Sequence, residues 1–449
     1  IFGMTTKFVE VTMAHKYRTT LSDGSISGGP MYYIEKSFNK RWAGVLFAAL
    51  MMICAIGSGN MPQINNIASV LDSTFSIPKL ITGLVLGVML WMIIAGGIKR
   101  IAKIASKLVP IMAVIYFGGA LVVVAENYQN IIPSFHSIFS QVFSGSAAAG
   151  GFLGASFAMS LKLGVARGLY SNEAGQGSSP IAHASAKAEH SVEQGMVSIL
   201  EPFIDTIVVC SVTALVILSS GAWTQKYDNT FERSSMAIFA GSYAESNSKD
   251  VEELGKYILD ARNFTSDTTA VENFTGNLDL IDGQMQKQNV TVFHNNSIAE
   301  DVVFYQGGEP VSGLLEISNG KIADSSVRVE GKSLIHSAEL TSKAFGSGVL
   351  GIYGEYIVAI GLLLFAFSTA IAWSYYGDRS TAYIFGEGAV PWYRTIYVVC
   401  FIAAAVVDTT VIWNIAYVVV ALVTIPNLIA LFVLRKEMKE QVDSYVMEK

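Results

Sequence analysis

Two adjacent hydroxyl side chains lie inside an apolar stretch late in the chain. In FAFSTAIAWSYYG (365–377), Ser368 and Thr369 precede Trp373, which follows Thr369 by four residues and shares its face of a helix. Two hydroxyls together with backbone carbonyls form a set of hard oxygen ligands that suits Na+. The alternative is that each hydroxyl bonds back to a carbonyl of its own helix. The residues alone leave both interpretations open.

A cluster of glycines interrupts a second apolar stretch. SGSAAAGGFLGAS (144–156) places Gly150, Gly151 and Gly154 around Phe152. A helix broken at this point exposes backbone N–H and C=O groups in the middle of a membrane, where they suit the carboxylate of an amino acid and a cation. Close packing of helices through small residues accounts for the same pattern.

Other polar side chains in apolar surroundings have two interpretations each. Asn60 and Gln63, in GSGNMPQINN (57–66), share a face near a predicted outer helix end and either contact a ligand or hold helices together. Asp205 is either a ligand for a proton or cation or the partner of a donor on a neighbouring helix. We find no nucleophile elbow, HExxH, Walker A or Cys/His motif, so we do not expect an enzyme.

The composition indicates which elements hold these residues. The chain is 51% hydrophobic and 15% charged, whereas soluble domains have about 25% charged residues. We therefore predict an all-α polytopic membrane protein, with spans of about 20 apolar residues. The candidate spans are roughly 42–66, 80–97, 108–125, 147–165, 195–219, 350–373, 391–407 and 411–434, with a weaker one at 1–14 that contains Lys7 and Glu10.

The basic residues predict which side each connection faces. If the connection at Arg18 is cytoplasmic, Lys and Arg are concentrated on the inner connections, and the short outer ones at about 67–79, 126–146 and 408–410 contain only Lys79. The C-terminus is then cytoplasmic. The predicted parts are a first part of the transmembrane core at 1–220, an extracellular insert at 221–345, a second part of the core at 346–434 and a cytoplasmic tail at 435–449.

The insert contains runs that are typical of strands. VTVF (290–293), VVFY (302–305) and VRVEGKSL (327–334) are rich in β-branched and aromatic residues, and Asn319-Gly320 lies between alternating residues. Asn-Gly in such a context indicates a tight hairpin. We expect a partly β extracellular insert.

At this point a family resemblance is visible. GVARGLYSNEAGQGSSPIAHASAK (164–187) is similar to the most distinctive signature of the alanine or glycine:cation symporter family, the sodium:alanine symporters. We call residues 164–187 the signature segment. Further stretches resemble the same family in the same order and cover nearly all of the chain outside the insert, among them GGPMYYIEK (28–36), GGIKRIAKIASKLVP (96–110), WSYYGDR (373–379) and IPNLIAL (425–431).

The resemblance implies a fold and an activity. The fold is leucine-transporter-like, with five-plus-five helices in an inverted repeat, in a multi-pass protein of the plasma membrane. The activity is symport by alternating access, in which entry of Na+, or H+ in some members, drives uptake of alanine or glycine. No organic cofactor and no nucleic acid are implied; the partners are a small amino acid and the lipid bilayer.

The resemblance also implies roles for particular residues. GGFLGAS falls at the break of the first helix of the second repeat, so Gly151 and Phe152 become candidate substrate contacts, together with Thr369 and Trp373. Gln63 is a further, weaker candidate. Ser368 and Thr369 become candidate Na+ ligands.

Three departures from the family pattern accompany these matches. Nothing like the family's first broken helix precedes Ile1, so we expect the fold to lack its first helix, as in an N-terminally truncated chain. The insert exceeds the usual short outer loop. The stretch WNIAYVVVALVTIPN has Tyr417 where the family leads us to expect Asp.

The signature segment has two interpretations. By the charge distribution it lies on the cytoplasmic side, where Arg167 and Glu173 would form inner-gate ion pairs and Gly168, Gly175 and Gly177 would let the backbone bend. Otherwise it is a rigid corner, capped by Ser171 or Asn172.

Two other functions remain open. The first is transport of another small amino acid by the same fold. The second is a non-transporting, membrane-anchored sensor that acts through the insert.

Overall fold

The computed structural model describes residues 2–21, 24–144, 157–261, 270–286 and 289–448. The chain divides into two compact units, which we treat separately. The core unit comprises Ile1–Gly119, Ala166–Ala214 and Tyr356–Lys449, and the insert unit comprises Ala120–Val165 and Leu215–Glu355.

Most of the described chain is helical. The α-helices are α1 Phe2–Lys16, α2 Pro30–Phe38, α3 Arg41–Gly57, α4 Met61–Phe75, α5 Lys79–Ile94, α6 Gly97–Glu126, α7 Ile131–Ser144, α8 Phe157–Asn172, α9 Ser179–His183, α10 Ser191–Ser198, α11 Leu200–Pro202, α12 Cys210–Ser220, α13 Ser248–Ala261, α14 Ser337–Gly346, α15 Ile352–Phe385, α16 Val390–Ala404, α17 Thr409–Val433 and α18 Arg435–Glu448. Short 3₁₀ turns occupy Tyr128–Asn130, Ala222–Thr224 and Glu387–Ala389, and a π-helical segment occupies Phe203–Val209.

Several helices are long and apolar enough to cross a membrane. A span of the hydrocarbon core needs about 20 residues at 1.5 Å per residue. Within the described residues five helical stretches meet this requirement: Arg41–Phe75, Arg100–Glu126, Ser191–Ser220, Ile352–Phe385 and Thr409–Val433. The apolar helices α5 and α16 are shorter, with 16 and 15 residues.

Some of the predicted helix bounds were too short. The span predicted at 42–66 continues to Phe75 and is interrupted at Ser58–Asn60, so Asn60 and Gln63 lie within a long helical stretch and not near its outer end. Most of the connection predicted at 67–79 is therefore helix. α4 is more polar on average than α3, but it forms a helix that buries one apolar face. The connection predicted at 126–146 contains α7.

Close helix packing in the core unit depends on small residues. A Cβ at Gly83 of α5 would lie 2.7 Å from the Cβ of Ala405, and one at Gly87 would lie 2.5 Å from the side chain of Ile402. Glycines four residues apart let two helices approach closely in a membrane, where dispersion forces dominate their association. This contact holds α5 against the C-terminal half of α16.

Short strands occur in both units. The core unit has one antiparallel pair, β1 and β2, and three four-stranded antiparallel sheets lie in the insert unit, in the orders β11-β10-β14-β3, β13-β12-β6-β7 and β5-β4-β8-β9. The strands are β1 Thr19–Thr20, β2 Ile26–Ser27, β3 Tyr227–Thr230, β4 Met236–Ala240, β5 Glu272–Asn273, β6 Gly276–Ile281, β7 Gln284–Met285, β8 Val290–His294, β9 Ser297–Ile298, β10 Glu300–Gln306, β11 Glu309–Pro310, β12 Gly313–Ser318, β13 Lys321–Ile322 and β14 Val327–Ser333.

The strand predictions for the insert are confirmed. VTVF, VVFY and VRVEGKSL coincide with β8, β10 and β14. Ser318 pairs with Lys321 across Asn319-Gly320, and both loop residues have positive φ, 49° and 74°. Asn and Gly tolerate this conformation, which a two-residue hairpin of the type I′ class requires. The alternating side chains bury Leu278, Phe304 and Val329 in a core of the insert unit.

Candidate functional site

The interruption between α3 and α4 forms a close contact with the predicted tryptophan. A Cβ at Gly59 would lie 2.2 Å from the indole ring of Trp373, so only glycine leaves room for this side chain. Trp373 is 4% exposed and packs edge-on against Tyr376, with 5.2 Å between ring centroids. Gly57, Gly59 and Pro62 explain why the helix stops here. We call Ser58–Asn60 with Trp373 the break site.

Some of the backbone and side-chain polar groups at the break site form hydrogen bonds with neighbouring residues. Tyr170 of the signature segment donates its hydroxyl proton to the carbonyl oxygen of Ser58 at 2.8 Å. The amide nitrogen of Asn60 donates to the carbonyl oxygen of Tyr397 at 2.7 Å. The Asn60 Oδ1 is buried and has no hydrogen-bond donor among the described residues. The break site therefore has unused acceptor capacity.

The predicted hydroxyls lie on α15, close in sequence to Trp373. Ser368 Oγ and Thr369 Oγ1 both donate to the carbonyl oxygen of Phe365, at 2.8 and 3.0 Å. This is the back-bonded arrangement that the residues alone left open. A hydroxyl that donates its proton keeps lone pairs for a cation, so the observed bonds and the Na+ prediction are compatible.

Of the remaining predicted substrate contacts, only Gln63 lies among the described residues. Gln63 lies on the first turn of α4, next to the break site, and its side chain is half-buried without a hydrogen bond to any described residue. Gly151 and Phe152 lie outside the described residues. Within the described part of the chain, no group of three or more His, Cys, Asp and Glu side chains can hold a metal ion.

Arg167 and Glu173 of the signature segment are not paired with each other. The guanidinium of Arg167 lies over the rings of Trp413 and Tyr417, 4.6 and 5.9 Å from their centroids. The carboxylate of Glu173 accepts a hydrogen bond from Ser178 Oγ at 2.6 Å. Cation–π contacts of this kind are worth about 0.5–1 kcal/mol when exposed. The inner-gate ion pair stays a prediction.

The predicted capping residues of this segment contact another helix. Ser171 Oγ donates to Asp205 Oδ2 at 2.5 Å, and Asn172 Nδ2 donates to Thr206 Oγ1 at 3.3 Å. Both acceptors lie in the π-helical segment, a feature that is frequent at functional sites. Asp205 thus has a donor on a neighbouring helix, the second of its two interpretations.

A buried lysine on α1 is a feature that the sequence reasoning missed. Lys7 is completely buried; its ammonium donates to Ser179 Oγ at 2.8 Å and lies 3.4 Å from Glu201 Oε1. Glu201 in turn lies 3.3 Å from His183 Nε2. A buried charge is tolerated only where it is paired and hydrogen-bonded. In the sequence analysis Lys7 served only as a reason why 1–14 is a weaker candidate span.

A buried carboxylate lies one turn further along α1. Glu10 accepts hydrogen bonds from the backbone N–H of Gly175, at 3.0 Å, and from the side-chain amide of Asn427. Asn427 also donates to the carbonyl oxygen of Gly175 at 2.9 Å and accepts from the hydroxyl of Tyr33. We call these residues the α1 charge cluster; they are Lys7, Glu10, Tyr33, Gly175, Ser179, Glu201 and Asn427.

The glycines of the signature segment make this cluster possible. Gly175 and Gly177 have φ of 87° and 75°, which L-residues rarely adopt, and a Cβ at Gly177 would lie 2.4 Å from Pro30. The segment thus turns closely around the Glu10 carboxylate. An ionisable pair at i, i+3 inside an apolar helix was the sequence signal for this cluster.

Comparisons with known proteins identify a family of transporters. A family model described as "Sodium:alanine symporter family" matches residues 1–247 and 321–449. The chain is 32% identical to the sodium/alanine symporter AgcS of Methanococcus maripaludis, over 96% of this chain and 72% of that protein. It is 31% identical to an uncharacterized transporter of Haemophilus influenzae, over 99% of this chain and 74% of that protein.

A further relative has a different amino acid in its name. The chain is 40% identical to the probable sodium/glutamine symporter GlnT of Bacillus subtilis, over 50% of this chain and 46% of that protein. The family model leaves residues 248–320 unmatched, which include β5 to β12 of the insert unit.

Proposed function

The chain belongs to the sodium:alanine symporter family, and from this premise we propose that it carries alanine or glycine into the cell together with Na+. The coarser statement, a cation-coupled amino acid symporter in the membrane, is supported by the family and by the relatives named for sodium/alanine and sodium/glutamine symport. The observation that carries the finer proposal is the break site, with Trp373 seated on the interrupted helix and Thr369 one turn away on α15.

The residues have distinct proposed roles. Ser368 and Thr369 bind Na+ with the lone pairs that their bonds to Phe365 leave free. Trp373, Thr369 and Gln63 contact the amino acid, and Gly151 and Phe152 complete the site as their resemblance to the family implies. Bulky walls such as Trp373 favour small side chains. H+ is the alternative coupling ion.

Transport takes its energy from the ion gradient. One charge that moves inward through 100 mV releases about 2.3 kcal/mol. Alternating access requires that the site open to one side at a time, and Arg167 and Glu173 are proposed to form the inner gate when it closes. The five-plus-five inverted repeat, a cytoplasmic C-terminus and an extracellular position of 221–345 belong to the same proposal.

Uptake by purified protein in liposomes tests the function. We expect an inward Na+ gradient to accelerate uptake of labelled alanine or glycine, compared with an equal K+ gradient. Unlabelled serine, glutamine and D-alanine serve as competitors that rank the substrates. Absence of any Na+ stimulation for alanine and glycine, in protein that elutes as a single species, would contradict the proposal.

The sensor function remains a second candidate because of one observation. Residues 248–320 lie outside the family match, yet they contribute Leu278, Phe304 and Leu315 to a core of the insert unit. The insert unit as a whole, which contains this core, can bind a ligand independently of transport. Ligand binding to the insert in a full chain that takes up no amino acid would favour this function over symport.

A further inference from the structure

A cavity in the core unit combines basic side chains with the end of a membrane-spanning helix. It has a volume of about 510 Å³ and lies among the C-terminal ends of α1 and α2 and the junction of α17 with α18. The charged residues that line it are Lys16, Lys36, Lys436, Glu437 and Glu440. Lysines thus outnumber carboxylates, and they come from three separate parts of the chain.

The acidic residues do not neutralise all of these lysines. Glu437 is engaged by the ammonium of Lys16 and by the hydroxyl of Tyr17. Lys36 and Lys436 are exposed, and neither forms an ion pair with a described residue. Glu440 is the only other carboxylate in the lining. Two ammonium groups therefore remain available to an anion.

The cavity lies at the end of a helix that is long and apolar enough to cross a membrane. α17 is apolar enough to cross a membrane and ends at Val433, which itself lines the cavity. Phe432 is 68% exposed and Ile429 is 52% exposed, so apolar surface extends along α17 from the cavity. The guanidinium of Arg435 lies over the Phe432 ring at 4.3 Å. Basic groups just beyond a spanning helix attract anionic lipids.

We propose that this cavity binds the phosphate headgroup of an anionic phospholipid, in the leaflet that the C-terminal end of α17 reaches. Lys36 and Lys436 contact the phosphate oxygens, because an ammonium binds phosphate as a point charge with three donors. The acyl chains lie along Phe432, Val433 and Ile429. Inorganic phosphate offers the same charge but has no acyl chains, so the exposed apolar surface of α17 favours the lipid.

The test uses the full chain in a neutral detergent and counts retained lipids by native mass spectrometry. Dioleoyl phosphatidylglycerol is titrated, with dioleoyl phosphatidylcholine and inorganic phosphate as the other probes. The variant is Lys36→Gln with Lys436→Gln. The matched control is Lys103→Gln with Lys107→Gln, which removes two exposed charges from α6, outside the cavity.

We expect the unchanged protein to retain phosphatidylglycerol in preference to phosphatidylcholine. The affinity should fall about five-fold for each cavity lysine removed, the effect of one basic residue near an anionic surface, and the control should not change it. Equal losses in both double variants would overturn the proposal in favour of unspecific surface charge. Equal retention of both lipids, or displacement of the lipid by millimolar phosphate, would overturn it too. All four lysines are exposed, so we expect unchanged elution and unfolding temperature.

Discussion

The α1 charge cluster and the break site differ in how fully their buried polar groups are hydrogen-bonded. Around Lys7 and Glu10 each charged group has a partner within the cluster. At the break site the Oδ1 of Asn60 is buried without a donor among the described residues. Nearby in sequence to Trp373, Ser368 and Thr369 keep the lone pairs that their bonds to Phe365 leave free. Saturated polar groups hold a structure together, whereas unused acceptors are available to a ligand. The two sites therefore differ in kind although both are polar and buried.

The largest effect should follow from the removal of the buried cation. Lys7→Met removes a completely buried ammonium and leaves Glu201, whose side chain is 35% exposed, without its cation. The free energy of unfolding should fall by about 3 kcal/mol, the lower end of the range for a buried pair. The measurement is thermal unfolding of the purified protein in detergent. Adding Glu201→Gln should restore part of the loss, because the uncompensated charge is then gone.

Lys16→Met is the matched control for this prediction. Lys16 pairs with Glu437, and both side chains are more than a quarter exposed, 28% and 27%. A solvent-exposed pair is worth about 0–1 kcal/mol. If Lys7→Met destabilises the protein no more than Lys16→Met does, the cluster is not the stabilising element that its contacts indicate.

Filling the space at the break site should have the next largest effect. Gly59→Ala places a Cβ 2.2 Å from the indole of Trp373, and overpacking of this kind costs about 1–3 kcal/mol. We expect a lower unfolding temperature together with loss of amino acid uptake. Gly118→Ala is the control, since nothing lies within 4 Å of its Cβ position. Equal activity and stability in both variants would contradict the contact.

A smaller, pH-dependent effect should come from a buried, hydrogen-bonded histidine in the insert unit, in a segment that contains none of the candidate membrane spans among the described residues. His294 in the insert unit accepts from the N–H of Glu232 at 3.1 Å and lies 2.7 Å from Ser333 Oγ. Burial, with His336 nearby, lowers its pKa from 6.5 to about 3. Between these values the unfolded state holds the extra proton. The free energy of unfolding should therefore fall by about 1.4 kcal/mol for each pH unit below 6.5.

Pulse proteolysis of the insert in the full chain measures this slope. The urea midpoint for cleavage should decrease from pH 7 to pH 5, and His294→Asn should remove most of the decrease. A midpoint that shifts equally in both proteins would show that other groups cause it.

The sequence predicted the insert better than it predicted the cluster. Strand alternation and the turn at Asn319-Gly320 are local signals, and the structure confirms them. The partners of Lys7 and Glu10 lie 165 to 417 residues away along the chain. No local sequence pattern predicts contacts between such distant residues. Lys7 and Glu10 were therefore interpreted only as charges that make a membrane span at 1–14 weaker. The rule that intramembrane charges mark function was applied to Asp205 and not to Lys7 and Glu10.

The break site was predicted in part. Asn60 and Gln63 were predicted as candidate polar contacts, but the hydropathy pattern placed them near a helix end and not at a break, because α4 is more polar than α3. The contact of Gly59 with Trp373 joins two distant segments through packing, which periodicity does not reveal. Thr369 and Trp373 were predicted to share a face from their spacing alone, and both lie on α15.

The Na+ dependence of uptake by Thr369→Val tests the central claim most directly. Valine keeps the shape but removes the hydroxyl, and an interaction of a hydroxyl with a charge is worth about 1.5–3 kcal/mol. Thr395→Val is the control, because Thr395 Oγ1 makes the same bond to a carbonyl four residues earlier, on α16. We expect the Na+ concentration for half-maximal alanine uptake to rise about ten-fold or more in Thr369→Val alone, with unchanged unfolding temperature. The same Na+ dependence in both variants would contradict a cation ligand at Thr369.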